Sequence, residues 1–205
     1  MADSQPAALN TLFNDPTFSD ITIRQICDGK VKEYPAHKAV LCNHSNWFKK
    51  ALTGQFKEAS HPTIEVHDDN PNRFAIMLEH LYTLQYSNKD SSYTVHSGCL
   101  VPIGVYALAD KYDIPTLKAL AAQEFGKNSP SLIMTSDVEQ IVKSHYQHLI
   151  EVNGELGKVI TAFLVAKRSS CNWMSTHFIK LVKEYPNFGA DMALYAYLHG
   201  TKSWK

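Results

Sequence analysis

No two cysteines in this chain stand close enough in sequence to open a metal knuckle. Cys27, Cys42, Cys99 and Cys171 are scattered, with no C-x-x-C among them. That spacing excludes the common zinc frameworks and fits reduced, mostly buried thiols. Charge of one sign is missing as well. Twenty Lys and Arg balance twenty Asp and Glu, and no basic run reaches four residues. A direct nucleic-acid binder would show a basic excess or stripe. No apolar stretch approaches the roughly 18 residues that a membrane-spanning helix needs. The opening "MADSQPAALN" has neither a basic n-region nor an apolar h-region, so no secretory signal is expected there and the expected location is intracellular, cytoplasm and/or nucleus. G-x-S-x-G, P-loop and G-x-G-x-x-G patterns are all absent, which leaves no familiar catalytic or cofactor framework. No catalytic residue, metal site or cofactor is expected.

What is present describes an ordinary globular chain. Hydrophobic residues make up 44% and charged residues 20% of 205 positions, enough for one domain with an appendage or two small ones. In "FSDITIRQICDGKVKEYP", Ile21 and Ile23 alternate with Thr22 and Arg24, and Asp28-Gly29 tolerates the positive φ of a tight hairpin. Two antiparallel strands follow, over 20–26 and 30–34, with a third over 63–68. Beyond them the pattern turns helical. Asp69 or Asn70 can cap a helix whose first residue is Pro71, with Phe74, Met77, Leu78, Leu81 and Tyr82 on one face. Residues 84–98 read as a polar loop. Two proline-opened helices follow, "PIGVYALADKYDI" and "PTLKALAAQEFG", the second closed by Gly126. After "KNSPS" the strand signal ends. Ser136 and Glu139 form a capping-box pattern, and further helices are expected around Ile141, Ile160, Leu181 and Leu194.

The segment "EYPAHKAVLCNHSNWF" holds His37, Lys38, Cys42, His44 and Ser45 within nine positions. On a helical wheel of about 100° per residue, His37, Val40, Leu41, His44 and Phe48 share a face while Cys42 points away. Asn43-His44-Ser45 can also break the helix, with Ser45 capping a second one. Either way only two nitrogen ligands converge, fewer than a zinc site uses. His145 and His148 lie at i, i+3 without a completing ligand, and His96 with Cys99 would need distant partners. These groups therefore read as structural, with an enzyme or metal protein using His37, His44, His96 or His145 as the remote rival.

The order of elements carries more information. "FSDITI", "YPAHKAVLCNHSNWF", "FAIMLEHLYT" and "VYALADKYDIPTLKALA" together closely resemble the BTB/POZ family. Its pattern runs F-x-D-V-x-L, A-H-K-x-V-L-x-x-x-S-x-x-F, an apolar helix ending L-Y-T-G, then L-x-x-A-D-K-Y. Phe18, Asp20, Ala36, His37, Lys38, Val40, Leu41, Ser45, Phe48, Leu81, Tyr82, Thr83, Ala109, Asp110, Lys111, Tyr112 and Leu117 match. "LNTLFNDPTFSD" is similar to the lead-in of the MATH–BTB adaptors.

The resemblance implies an α+β BTB/POZ fold, a small mixed sheet flanked by a cluster of helices, over 18–128. A helical lead-in at 1–17 would precede it. An all-α extension at 129–205, 3-box or BACK-like, would follow. It implies a non-enzymatic, homodimerising interaction module acting as adaptor or scaffold. Leu9, Leu12 and Phe13 would lie in the dimer interface, with Asp20 and Lys38 at the charged positions beside it. Phe56, Glu58 and Tyr82 would meet a cullin scaffold, were the chain a ubiquitin-ligase substrate adaptor. Recruitment of corepressor peptides is the other form of partner binding the family suggests. Leu84 departs from the glycine that usually follows Y-T.

Overall fold

The computed structural model describes residues 12–54, 61–88, 94–129, 133–147, 151–167 and 176–199. The chain forms two compact units. The first comprises Met1–Ser87 with Leu108–Leu117, and the second Asn88–Ala107 with Lys118–Lys205.

The first unit is built on a three-stranded mixed sheet. Strands β1 (Ile21–Cys27) and β2 (Lys30–Ala36) pair antiparallel, from Ile21 opposite Ala36 to Cys27 opposite Lys30. Asp28 and Gly29 join them with φ of +50° and +73°, the two-residue turn whose twist matches the strands. Strand β3 (Thr63–His67) adds to the other side of β1 in parallel, with Ile23 opposite Ile64, giving the order β2-β1-β3. Alternation along β1 sends Ile21, Ile23 and Gln25 inward. Helices α1 (Lys38–His44), α2 (Asn46–Thr53) and α3 (Pro71–Thr83) complete the unit, with Phe74 of α3 lying 5.8 Å from Tyr34 of β2. Asn70 is the cap of α3, its side chain accepting from the N–H groups of Asn72 and Arg73. Phe74, Met77, Leu78 and Leu81 are at most 1% exposed, as their spacing predicts.

Helices α4 (Val101–Lys111) and α5 (Pro115–Asn128) contribute residues to both units. A five-residue π-helical turn, His96–Leu100, leads directly into α4. Helical structure thus begins inside the stretch expected to be loop, and Ser97, Gly98 and Cys99 are buried there.

The second unit adds α6 (Thr135–Tyr146), α7 (Glu155–Ala166), α8 (Thr176–Glu184) and α9 (Pro186–His199). Val138, Ile141, Leu156, Ile160, Leu164 and Phe188 form its apolar centre, all fully buried. Two local expectations fail here. Gly126 does not close α5, which runs on to Asn128. A Cβ at Gly126 would lie 3.4 Å from Val159 of α7, so helix packing rather than helix ending accounts for the glycine. The cap of α6 is not the Ser136/Glu139 pair either. Met134 precedes the helix, and its N–H donates to the Asp137 carboxylate at 2.6 Å.

A buried carboxylate fastens this helical unit. Asp191 accepts from the Tyr146 hydroxyl at 2.8 Å and from the Asn153 N–H at 2.6 Å. Gly157 leaves the room for it, since a Cβ there would collide with the Asp191 oxygen. Burial, reinforced by the Asp191 charge, drives the Tyr146 phenol far above its usual range.

His145 is the weak point of the same core. It is 3% exposed, its ring lies against Tyr146 (4.5 Å) and Tyr106 (6.0 Å), and its Nδ1 has no hydrogen-bond partner among the described residues. Burial lowers its pKa to about 4. The unfolded chain, with an ordinary histidine, therefore binds more protons below about pH 6.5, and stability must fall as the pH drops toward 4. Urea titrations should show that His145 alone removes about 2 kcal/mol between about pH 7.5 and about pH 5. His145→Met should cut the acid sensitivity by that amount; an unchanged pH slope would contradict the assignment.

Candidate functional site

The segment with the apparent reactive groups turns its polar atoms into the fold. His37 stands at the start of α1 in extended conformation (φ −125°) and makes no side-chain cap. Its backbone N–H donates to the Tyr82 hydroxyl oxygen at 3.1 Å, and its Nδ1 lies 3.0 Å from the same oxygen. Nε2 lies 2.8 Å from the carbonyl of Thr17. With a neutral ring, one proton arrangement satisfies all three contacts. Tyr82 accepts from the His37 amide and donates to Nδ1, and the ring carries its proton on Nε2 for Thr17. A neutral imidazole held this way is neither a free base nor a metal ligand. Burial, with some help from the Asp20 charge, pushes the Tyr82 hydroxyl up to about 12.

The missing cap of α1 comes from elsewhere. Asp20, exposed at the lead into β1, accepts from the Lys38 N–H at 2.7 Å, placing a carboxylate at the helix N-terminus. Seven residues later the chain breaks as its sequence suggests. Ser45 (φ −136°) ends α1 and caps α2, accepting from the Phe48 N–H at 3.1 Å. Its own hydroxyl donates to the Tyr112 carbonyl at 2.6 Å. The Cys42 thiol lies 3.9 Å from the Phe48 carbonyl, and the His44 ring 3.1 Å from the Asn43 amide. No group of three or more metal-ligating side chains exists among the described residues.

A second polar centre went unread in the sequence. Asp69, just before the α3 cap, is 5% exposed. It receives Lys111 Nζ at 2.7 Å and the Tyr112 hydroxyl at 2.5 Å, so the A-D-K-Y motif of α4 is bolted to the start of α3. Gln25 of β1 donates to the Asp69 carbonyl and accepts from Tyr34. The Tyr112 phenol is driven far upward, first by burial and then by Asp69. Asp69 had drawn notice only as a possible cap, because a partner 42 positions away leaves no local pattern.

Comparison with protein-family models matches residues 9–129, more than half of the chain, to the BTB/POZ domain. The chain belongs to the BTB/POZ family. Among curated proteins it is similar to zinc finger and BTB domain-containing protein 44 of Xenopus tropicalis, 38% identical over 79 residues, 38% of this chain and 17% of that protein. Rho-related BTB domain-containing protein 1 of Homo sapiens is 32% identical over 108 residues, 52% of this chain and 14% of that protein. TD and POZ domain-containing protein 1-like of Mus musculus is 31% identical over 96 residues, 47% and 24% respectively. The chain thus spans less than a quarter of the length of these relatives.

Within the BTB fold the expected site residues that are described fall in three groups. Leu12 and Phe13 are half-buried, and the Phe13 ring lies 5.8 Å from Tyr82 of the same chain. Asp20 and Lys38 meet through the backbone bond already described. Tyr82, assigned to a cullin-facing surface by resemblance, is 4% exposed, with its hydroxyl engaged by His37. Leu9, Phe56 and Glu58 lie outside the described residues. Leu84, the departure from the family glycine, still adopts the left-handed conformation (φ +57°) that ends α3, with its N–H on the His80 carbonyl at 2.8 Å. The turn is kept, and a leucine tolerates it.

Ser45 tests the structural reading of this segment. Ser45→Ala would leave the Phe48 N–H and the Tyr112 carbonyl buried without that partner. Chemical denaturation should record a loss of about 2 kcal/mol. A loss below about 0.5 kcal/mol would mean that the break between α1 and α2 does not depend on this hydroxyl.

Proposed function

We propose that this BTB protein is a homodimerising adaptor or scaffold, whose activity is the binding of other proteins rather than a reaction. One observation carries the reading. The nucleophile-like and ligand-like side chains of the A-H-K segment that are described here are engaged with the chain's own groups, so no reactive centre remains in it. BTB/POZ domains are generally protein-interaction modules, and what is left to do work is the outside surface.

In this reading Leu9, Leu12 and Phe13, with Asp20 and Lys38, form the face toward a second copy. Residues 18–128 act as the BTB module and 129–205 as its helical extension. A separate face would carry the partner, with Phe56 as apolar anchor and Glu58 as charged hydrogen-bond acceptor if that partner is a cullin. A short lead-in helix is marginal alone and gains stability by docking on an apolar surface, which favours a role for it between copies.

Light scattering coupled to size exclusion should return a mass near twice 23.1 kDa. A mass near 23.1 kDa at every accessible concentration would overturn the homodimer.

A further inference from the structure

Helix α9 contains one carboxylate, Asp191, and no lysine or arginine. Asp191 is 4% exposed, whereas Leu194 and Leu198 face solvent. A helix apolar on its outer side as well as its inner side normally lies against something. Along this side of α9, and against α7, runs a cavity of about 230 Å³. Its apolar walls are Ala162 of α7 with Leu194, Tyr195 and Leu198 of α9. All of these residues belong to the second unit.

Two charged groups line the cavity without neutralising each other. Asp191 accepts from the Tyr146 hydroxyl and the Asn153 N–H, both neutral donors. Those bonds use two of the roughly four lone-pair positions of a carboxylate. No cation among the described residues pairs with it, although buried charges are ordinarily paired. Lys158 lines the same cavity, one position after Gly157, the residue whose missing Cβ makes room for the Asp191 oxygen. The lysine is exposed and has no ion pair among the described residues. Tyr146 and Asn153 explain how Asp191 fastens the helices. They supply no positive charge, and they leave both Lys158 and the apolar slot unanswered.

We infer that this slot takes an apolar α-amino acid in its free zwitterionic form. Its ammonium meets Asp191, its carboxylate meets Lys158, and its side chain lies between Ala162, Leu194 and Leu198. An amine alone would leave Lys158 unmatched, and a carboxylic acid alone would leave Asp191 so. A zwitterion complements both, and the Tyr195 ring offers its face to the ammonium as well. At about 230 Å³ the cavity is smaller than the roughly 300–1,000 Å³ of sites for drug-sized ligands, which suits a molecule the size of leucine. The inference goes beyond the adaptor reading and does not depend on whether two copies pair.

Calorimetric titration of the full chain with L-leucine should give a dissociation constant below about 1 mM. Isoamylamine, which is leucine without its carboxylate, and isocaproate, which is leucine without its ammonium, should each bind at least about 10-fold more weakly. Lys158→Gln should weaken leucine about 10-fold and leave isoamylamine unchanged, a split that a purely structural lysine would not produce. Ala162→Phe fills the slot and should abolish leucine binding. Leu198→Glu, at a position 65% exposed, tests the same wall without crowding the fold and should weaken leucine at least about 10-fold. No saturable heat up to about 10 mM leucine overturns the inference. Equal affinity for leucine and either analogue overturns the zwitterion. Binding that survives both Ala162→Phe and Leu198→Glu lies elsewhere and overturns the site.

Discussion

The Tyr82 hydroxyl is where three otherwise separate pieces of chain meet. It takes the amide hydrogen of His37, gives its own hydrogen to the His37 ring, and through that ring holds the Thr17 carbonyl. The partners come from the end of α3, the entry to α1 and the segment before β1. None of them is satisfied locally. His37 stands where a helix cap would be but caps nothing, and the amide of Lys38 is served instead by Asp20. Buried polar groups must be paired or they cost more than they contribute. That requirement makes the A-H-K segment a fastener. It also commits the His37 ring and the Ser45 hydroxyl to bonds inside the fold.

The same constraint repeats at other centres. Ser45 serves two buried backbone groups at once, and Asp69 joins α3 to the A-D-K-Y motif while its carbonyl receives Gln25. Around Tyr112 the rings of Trp47, Phe48 and Phe74 pack at 4.9, 5.4 and 5.9 Å. Polar fastening and apolar burial thus reinforce each other at one residue. In the second unit Asp191 plays the part of Asp69, tying Tyr146 and Asn153 together over Gly157. His145 is the contrast, a buried ring whose Nδ1 has no partner among the described residues and whose pKa burial lowers.

Local signals were legible in the sequence wherever local chemistry decides. Asp28-Gly29 makes its hairpin because both residues accept positive φ. Ser45 breaks and caps because its side chain reaches an amide three residues on. Where distant contacts decide, reading failed. Gly126 matches a helix-closing glycine, but its place is set by Val159, and Asp137 outcompetes an equally good pattern at Ser136 and Glu139. The left-handed turns at Phe18 and Leu84 are invisible because neither residue type announces them. Asp69 escaped for the same reason that it matters, its partners being 42 and 43 residues away.

The central claim is that the polar groups of residues 37–48 hold the fold together, leaving function to the surface. Nitrogen-15 spectra of the His37 imidazole at neutral pH test it most directly, because the bonding pattern permits one tautomer. The predicted result is that the neutral ring carries its proton on Nε2, with Nδ1 accepting. A ring protonated at Nδ1, or one averaging rapidly between both forms, would show that His37 is not clamped and would contradict the account.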